Sequence, residues 1–361
     1  MATRSSQAPS HLASVASESV THREWKQLCE VMNGYIYSQT LVAACELDLF
    51  TYLSAHPGVT REELARGLKL SPYCTRILML ACCAAGLVHR NRNDGYRNTQ
   101  LAEKVLVSTS PYSMVPFIHF NHRVQERCSS HHSEALRQHR NAGLDEFPGP
   151  GSTLYERLVE YPELETLFQE AMGAYTRLAP KVIHLREFSK VRHLLDVGGG
   201  DGSNAIALCD RNPLLRITIL EKPTVARITR ERIQAAGLAA RIEVVDADMF
   251  VDLWPAGCDA VLMSHLVEIF SPEKIRLLYK KALNTLPVGG RLFVWTIMAN
   301  DSETGALQAA KSSIYFLCVA SGEGMAYPAR DHEESLRWAG FRAVRTYPAA
   351  EVDHGALVAT K

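Results

Sequence analysis

Leu194-Leu195-Asp196-Val197-Gly198-Gly199-Gly200-Asp201-Gly202-Ser203-Asn204 is the stretch on which the reading of this 361-residue chain turns. An apolar run enters a glycine-rich turn, and residues 204–209 continue with helical composition. Strand, glycine turn and helix in that order let the backbone bend sharply. They also leave unpaired helix N–H groups facing whatever polar ligand approaches.

Beyond the turn, apolar runs alternate with helical spacers, and strands are predicted at 193–197, 216–221, 242–245, 260–263 and 291–297. Such alternation predicts a parallel, doubly wound sheet. Glu221 closes the second run, where a carboxylate can accept both hydroxyl protons of an adenosine ribose. Asp248 follows the third, in Asp246-Ala247-Asp248-Met249-Phe250, placed to accept from an adenine amino group while Met249 packs on the ring. Three such signals at successive strand ends point to a nucleoside cofactor. A dinucleotide dehydrogenase is the competitor, but five strands leave no second nucleotide-binding half, and this turn carries an acidic residue at its head.

Toward the N-terminus, residues 111–188 read as helical, broken at Phe147-Pro148-Gly149-Pro150-Gly151. Earlier still, Tyr37, Leu41, Ala44 and Leu47 keep helical spacing within 25–54. Thr60 and Glu63 form a capping-box pattern over a helix at 61–68, and Ser71-Pro72 opens another that runs to Ala85. Residues 87–98, centred on Asn93-Asp94-Gly95, read as a hairpin. Helices followed by a hairpin predict a winged helix. DNA binding is disfavoured, because the second helix offers Arg76 as its cation amid apolar residues where a groove reader needs several. A dimerisation surface is the better use of that apolar face.

Lysine plus arginine (39) balances aspartate plus glutamate (39), so no long-range field would concentrate nucleic acid or an anionic membrane. The nine scattered cysteines suggest reduced thiols and a cytoplasmic protein, with no metal site of familiar spacing. No run is long and apolar enough to span a membrane. The expected layout is a disordered tail over 1–22, a dimerisation domain over 23–110, a helical linker and acceptor-pocket wall over 111–188 and a nucleoside-binding domain over 189–361.

From about residue 30 onward the chain resembles the plant-type and bacterial small-molecule O-methyltransferases, the group that includes caffeic acid and acetylserotonin methyltransferases. The resemblance rests on the Asp-Val-Gly-Gly-Gly-x-Gly turn, Asp248-Met249-Phe250, Phe168 and Met172 in a Phe-x-x-x-Met helix, and Ala339-Gly340-Phe341. It implies an α/β fold, with a C-terminal Rossmann-like S-adenosylmethionine methyltransferase domain and an N-terminal, all-helical winged-helix dimerisation domain forming a homodimer. It also implies that S-adenosyl-L-methionine is held by Asp196, Gly198, Gly200, Glu221, Asp248, Met249 and Phe250, with Ser264 where the family has a lysine.

The same alignment places Glu268 where the family has its catalytic histidine, and Trp295 and Ala326 where it has two glutamates. Glu268 among Ile269, Phe270 and Trp295 is the candidate base, with His265 three residues before it. Phe168, Met172, His122, Arg123, Trp295 and Tyr327 are candidate acceptor contacts, and Arg123 or Arg127 could pair with an acceptor carboxylate. The altered site suggests carbon, nitrogen or sulfur methylation of an amino-acid-like or carboxylate-bearing small metabolite of secondary metabolism. Oxygen methylation with Glu268 or His265 as base, and a non-methylating reaction on the same fold, stay open.

Overall fold

The computed structural model describes residues 20–178, 185–305, 307–347 and 354–361. Most of the tail expected over 1–22 lies outside them, although the first helix already begins at His22. The chain divides into two compact units, residues 1–110 and 111–361.

In the first unit α1 (His22–Met32), α2 (Gly34–Glu46), α3 (Leu49–Ala55), α4 (Arg61–Gly67) and α5 (Pro72–Ala84) precede a hairpin of β1 (Val88–Arg90) and β2 (Tyr96–Asn98), then α6 (Gln100–Val105). The unit is therefore not all-helical; its wing is a true antiparallel ladder. The helical pattern expected over 25–54 is three helices, because the chain breaks at Asn33 and again at Asp48, whose φ is +52°. Thr60 and Glu63 do form the reciprocal capping box of α4. The outer face of α5 exposes Tyr73, Ile77 and Leu80, and an apolar groove runs between α2 and α5, lined by Tyr35, Ile36, Ile77 and Leu78.

The second unit starts with helices: α7 (Val115–Phe120), α8 (His132–Gln138), α9 (Leu154–Arg157) and α10 (Pro162–Leu178). Next come β3 (His193–Val197), α11 (Ser203–Arg211), β4 (Arg216–Glu221), α12 (Pro223–Ala235), β5 (Ile242–Asp246), β6 (Ala260–Ser264), α13 (Pro272–Thr285) and β7 (Arg291–Ile297). Last are α14 (Leu307–Tyr315), α15 (Ala329–Ala339), β8 (Ala343–Tyr347) and β9 (His354–Thr360). The strands form a seven-stranded sheet in the order β5-β4-β3-β6-β7-β9-β8. The five predicted strands are parallel neighbours, whereas β9 inserts antiparallel between β7 and β8, so the sheet is mixed rather than wholly parallel.

Strand alternation sorts the core into two layers. Leu195, Val197, Val261, Met263, Leu292 and Val294 face α13 and α15. Leu194, Ile217, Ile219, Leu262, Phe293 and Trp295 face α11 and α12. A third cluster, including Phe120, Phe147, Leu154 and Ala171, binds the helical segment together. Strand order reverses between β3 and β6, and the crevice outside the carboxyl ends of strands at such a switch point is where α/β sheets bind ligands. Among the described residues no helix is long and apolar enough to cross a membrane.

Candidate active site

A cavity of about 560 Å³ opens at that switch point, within the usual range for small-ligand sites. Its floor is the glycine turn. Gly198, Gly200 and Gly202 have φ of +68°, +56° and +79°, conformations that favour glycine. Open space surrounds the point where a side chain on Gly200 would begin, so a ligand can lie directly on the backbone there. Glu221 reaches under the turn from the end of β4: its carboxylate accepts from the backbone N–H of Gly200 and of Lys222, both at 2.9 Å. Burial raises its carboxyl above the ordinary range, against the lowering effect of those two bonds.

Asp248 accepts from the Phe250 N–H at 2.7 Å, a turn that presents Met249 and Phe250 to the cavity. Ser264, at the end of β6, accepts from the Asn204 side chain at 3.1 Å. Gly198, Gly200, Glu221, Asp248, Met249, Phe250 and Ser264 all line the cavity, as do Phe168 and Met172 from α10. These residues fit an adenosyl group: an open glycine backbone, a carboxylate at the ribose position and an apolar pair beside a carboxylate for the base.

Asp196 is the exception in the donor set. It does not line the cavity but lies buried beneath the turn, close enough that a Cβ on Gly199 would come within 2.9 Å of its carboxylate. Among the described residues neither of its buried oxygens has a hydrogen-bond partner. Burial, with the Glu221 carboxylate nearby, pushes its carboxyl up to about 7.

Glu268 and His265 meet at the far wall. Beyond β6 the chain turns at His265, whose φ is +52° and whose N–H still donates to the Trp295 carbonyl at 2.8 Å. This left-handed residue departs from strand geometry and leaves the imidazole Nδ1 3.4 Å from Glu268 Oε1. Glu268 is almost wholly buried, and Thr296 donates its hydroxyl to Glu268 Oε2 at 2.8 Å. Tyr155 and Tyr315 line the same part of the cavity.

Four expected acceptor contacts lie elsewhere. Trp295 faces the opposite layer, stacked on His354, because side chains alternate along β7; the neighbouring Thr296 is the strand residue that meets Glu268. Tyr327 packs in the core, its hydroxyl donating to the Phe270 carbonyl at 3.1 Å. His122 pairs with Glu126 at 2.8 Å and Arg123 with Glu163 at 3.6 Å, both away from the cavity lining. Arg127 is likewise held by Glu146 at 3.0 Å. Ala326, in a glutamate's expected place, is fully buried. Sequence reasoning missed Thr296, Tyr155 and Lys311. Only Tyr155 carried a local signal, lying inside the capping box of Thr153 and Glu156.

Sheet order, glycine turn and strand-end carboxylates define an S-adenosylmethionine-dependent methyltransferase. The chain matches the O-methyltransferase domain over residues 130–342 and the O-methyltransferase dimerisation domain over residues 29–108, and it belongs to that family. It is 36% identical over 340 residues to the L-tyrosine C(3)-methyltransferase of Streptomyces lavendulae, covering 92% of each chain. Among solved structures, the S-adenosylmethionine-dependent methyltransferase SibL in its apo form superposes with a TM-score of 0.80 at 34% identity, over 93% of this chain and 98% of that one. Human N-acetylserotonin methyltransferase in complex with S-adenosylmethionine shares the fold, with a TM-score of 0.84 at 24% identity over 95% and 99% of the two chains. The cofactor is S-adenosylmethionine.

Proposed function

We propose that the protein methylates a ring carbon of a phenolic, amino-acid-like acceptor, with Glu268 as the base that removes the phenol proton. The observation that carries this reading is a buried carboxylate at the cavity wall, fixed by Thr296 and flanked by His265. A phenol becomes a carbon nucleophile when its proton leaves, since the oxygen's charge spreads onto the adjacent ring carbons. Glu268 takes that proton, and Thr296 keeps the carboxylate from rotating away. S-adenosylmethionine, when bound, supplies an electrophilic methyl group on a sulfonium. Gly198, Gly200, Glu221 and Asp248 would hold it, and the remaining task is to orient the acceptor and exclude water. The 36% identity to an L-tyrosine C(3)-methyltransferase supports carbon as the methylated atom.

The cavity's charge supports an acceptor that itself bears an ammonium, because seven carboxylates line it against three lysines. Lys222 lies 3.9 Å from Glu156 and Lys274 lies 2.5 Å from Glu323. Lys311, exposed on α14, is the cavity cation given no carboxylate partner among the described residues, and it takes the role of acceptor-carboxylate anchor that Arg123 and Arg127 had been expected to fill. The working form is a homodimer in a reducing cytoplasm. The exposed apolar groove between α2 and α5, in a matched dimerisation domain, supports the dimer, and nine free cysteines fit the compartment.

The test is incubation of full-length protein with isotope-labelled donor and a panel of tyrosine-like phenols, followed by fragmentation mass spectrometry and NMR of the product. Label on the ring carbon is expected; label on oxygen or nitrogen overturns the assignment. Glu268→Gln should keep donor affinity and lose turnover by about a hundredfold or more, the range for a missing general base.

A further inference from the structure

Tyr155 and Tyr315 come from elements far apart in the chain and meet beside Glu268. Tyr155 sits in α9, whose start is fixed by reciprocal Thr153 and Glu156 bonds, and its ring packs on Phe168 at 5.7 Å. Tyr315 is the last residue of α14, with its ring 5.6 Å from Phe316. Both rings are held by aromatic neighbours while both residues line the cavity. The Tyr315 hydroxyl is buried and faces the Tyr155 phenol, and among the described residues nothing accepts its own proton. Native structures rarely leave such a group unsatisfied, and one placed at a ligand cavity points to a partner that arrives with the ligand.

The two phenols influence one another directly, and burial raises both well above the ordinary tyrosine range; for Tyr155 the Tyr315 phenol and the Glu268 carboxylate add to the effect. Both therefore stay protonated around neutral pH and can serve as O–H donors. Neutral donors that cannot easily lose their protons suit an oxygen on which charge develops.

We propose that Tyr315 and Tyr155 form a donor pair that receives the acceptor's phenolate oxygen as Glu268 takes its proton, holding negative charge in the ring whose adjacent carbon is methylated. This rests on the phenolic-acceptor reading above. The acceptor O–H bond breaks and its proton passes to Glu268. The ring carbon gains the methyl as the carbon–sulfur bond breaks, with the electron pair left on sulfur. That carbon then loses its own proton to solvent water, the ring regains aromaticity, and Glu268 returns the first proton to the oxygen, so the one proton released overall is the one carried away by water. Tyr315 and Tyr155 donate throughout and are unchanged at the end.

The test uses 3-nitrotyrosine, whose phenolate absorbs in the visible, as a probe bound to the full-length protein in the presence of the demethylated donor product. Wild type should lower the pH at which the bound probe ionises. Tyr315→Phe should move that midpoint back up by about one unit, and Tyr155→Phe/Tyr315→Phe further. Turnover should fall about ten- to a hundredfold in Tyr315→Phe, the limb of the pH profile that reports phenol ionisation should shift upward, and donor affinity should hold. A tyrosine that merely packs would change thermal stability and leave both the probe midpoint and the pH profile in place, and that result overturns the proposal. If wild type neither binds the probe nor methylates a phenolic ring carbon, the acceptor reading falls and takes this inference with it. If wild type does both and the tyrosine variants behave like it, the donor pair alone is wrong.

Discussion

Replacing Asp196 by asparagine isolates the electrostatic cost of the donor site's foundation. The side chain is buried, neither oxygen has a partner among the described residues, and burial with the nearby Glu221 carboxylate pushes its carboxyl from the ordinary 3.8 up to about 7. Between those two values the folded state holds a proton that the unfolded chain has released. Wild-type stability therefore falls as pH rises through the window and levels off above pH 7. A shift of a little over three units corresponds to on the order of 4 kcal/mol across the window. Asparagine has the same shape and no titration. Its amide brings buried donors of its own, but that cost does not vary with pH, so the difference in slope is the diagnostic quantity. Asp196→Asn should gain on wild type by several kcal/mol between pH 4 and pH 8, whatever its absolute stability.

Urea unfolding at half-unit pH intervals and fixed protein concentration reads this directly, fixed concentration being needed because association of the proposed dimer would contribute to apparent stability. A variant-minus-wild-type difference that stays flat within about 0.5 kcal/mol from pH 4 to pH 8 would refute the reasoning, since it would mean that Asp196 is paired or hydrated in solution. A contrast with Glu221 completes the experiment. Asp196 lies under the turn and outside the cavity, so Asp196→Asn should bind donor within a fewfold of wild type by calorimetry. Glu221 lines the cavity, and Glu221→Ala should abolish measurable donor binding.

Three further outcomes are expected. His332 is buried, with Nδ1 2.9 Å from the Tyr279 hydroxyl, and burial lowers its imidazole to about 4 against the ordinary 6.5. The unfolded chain thus binds the proton first on acidification, and up to about 3 kcal/mol of stability is lost between pH 6.5 and pH 4; His332→Phe should flatten that acid limb in melts, and an unaltered limb excludes the residue. A methyl group on Gly199 would fall 2.9 Å from both the Asp196 carboxylate and the Ile219 side chain. Gly199→Ala should cost about 1–3 kcal/mol by overpacking and weaken donor binding at least tenfold, measured by denaturation and calorimetry. Lys311→Glu should raise KM for a carboxylate-bearing acceptor tenfold or more with little change in kcat, and leave the decarboxylated analogue unaffected; equal effects on both acceptors would remove Lys311 as the anchor.

The donor half of this enzyme is legible in sequence because its parts are local. One turn and two strand ends carry the chemistry, and each strand announces itself by an apolar run. β8 and β9 are less legible: Arg345 and partial exposure dilute the first, and Gly355 with small alanines dilutes the second, which gains its place only by pairing between β7 and β8. The acceptor half is non-local. Tyr155, Glu268, Thr296 and Tyr315 lie on four separate elements, and no spacing in the sequence brings them together. Polar density misleads there too, since His122 and Arg123 are occupied by Glu126 and Glu163 on helical surfaces. The period of two along a strand makes the last step unforgiving. Assigning the fifth-strand contact to Trp295 instead of Thr296 is an error of one residue, yet it exchanges a side chain in one core layer for the hydroxyl that bonds the buried Glu268 carboxylate, the proposed base, in the other. Whether the proposed acceptor site is assembled is therefore decided by which face each strand residue takes, and that is a property of the folded sheet.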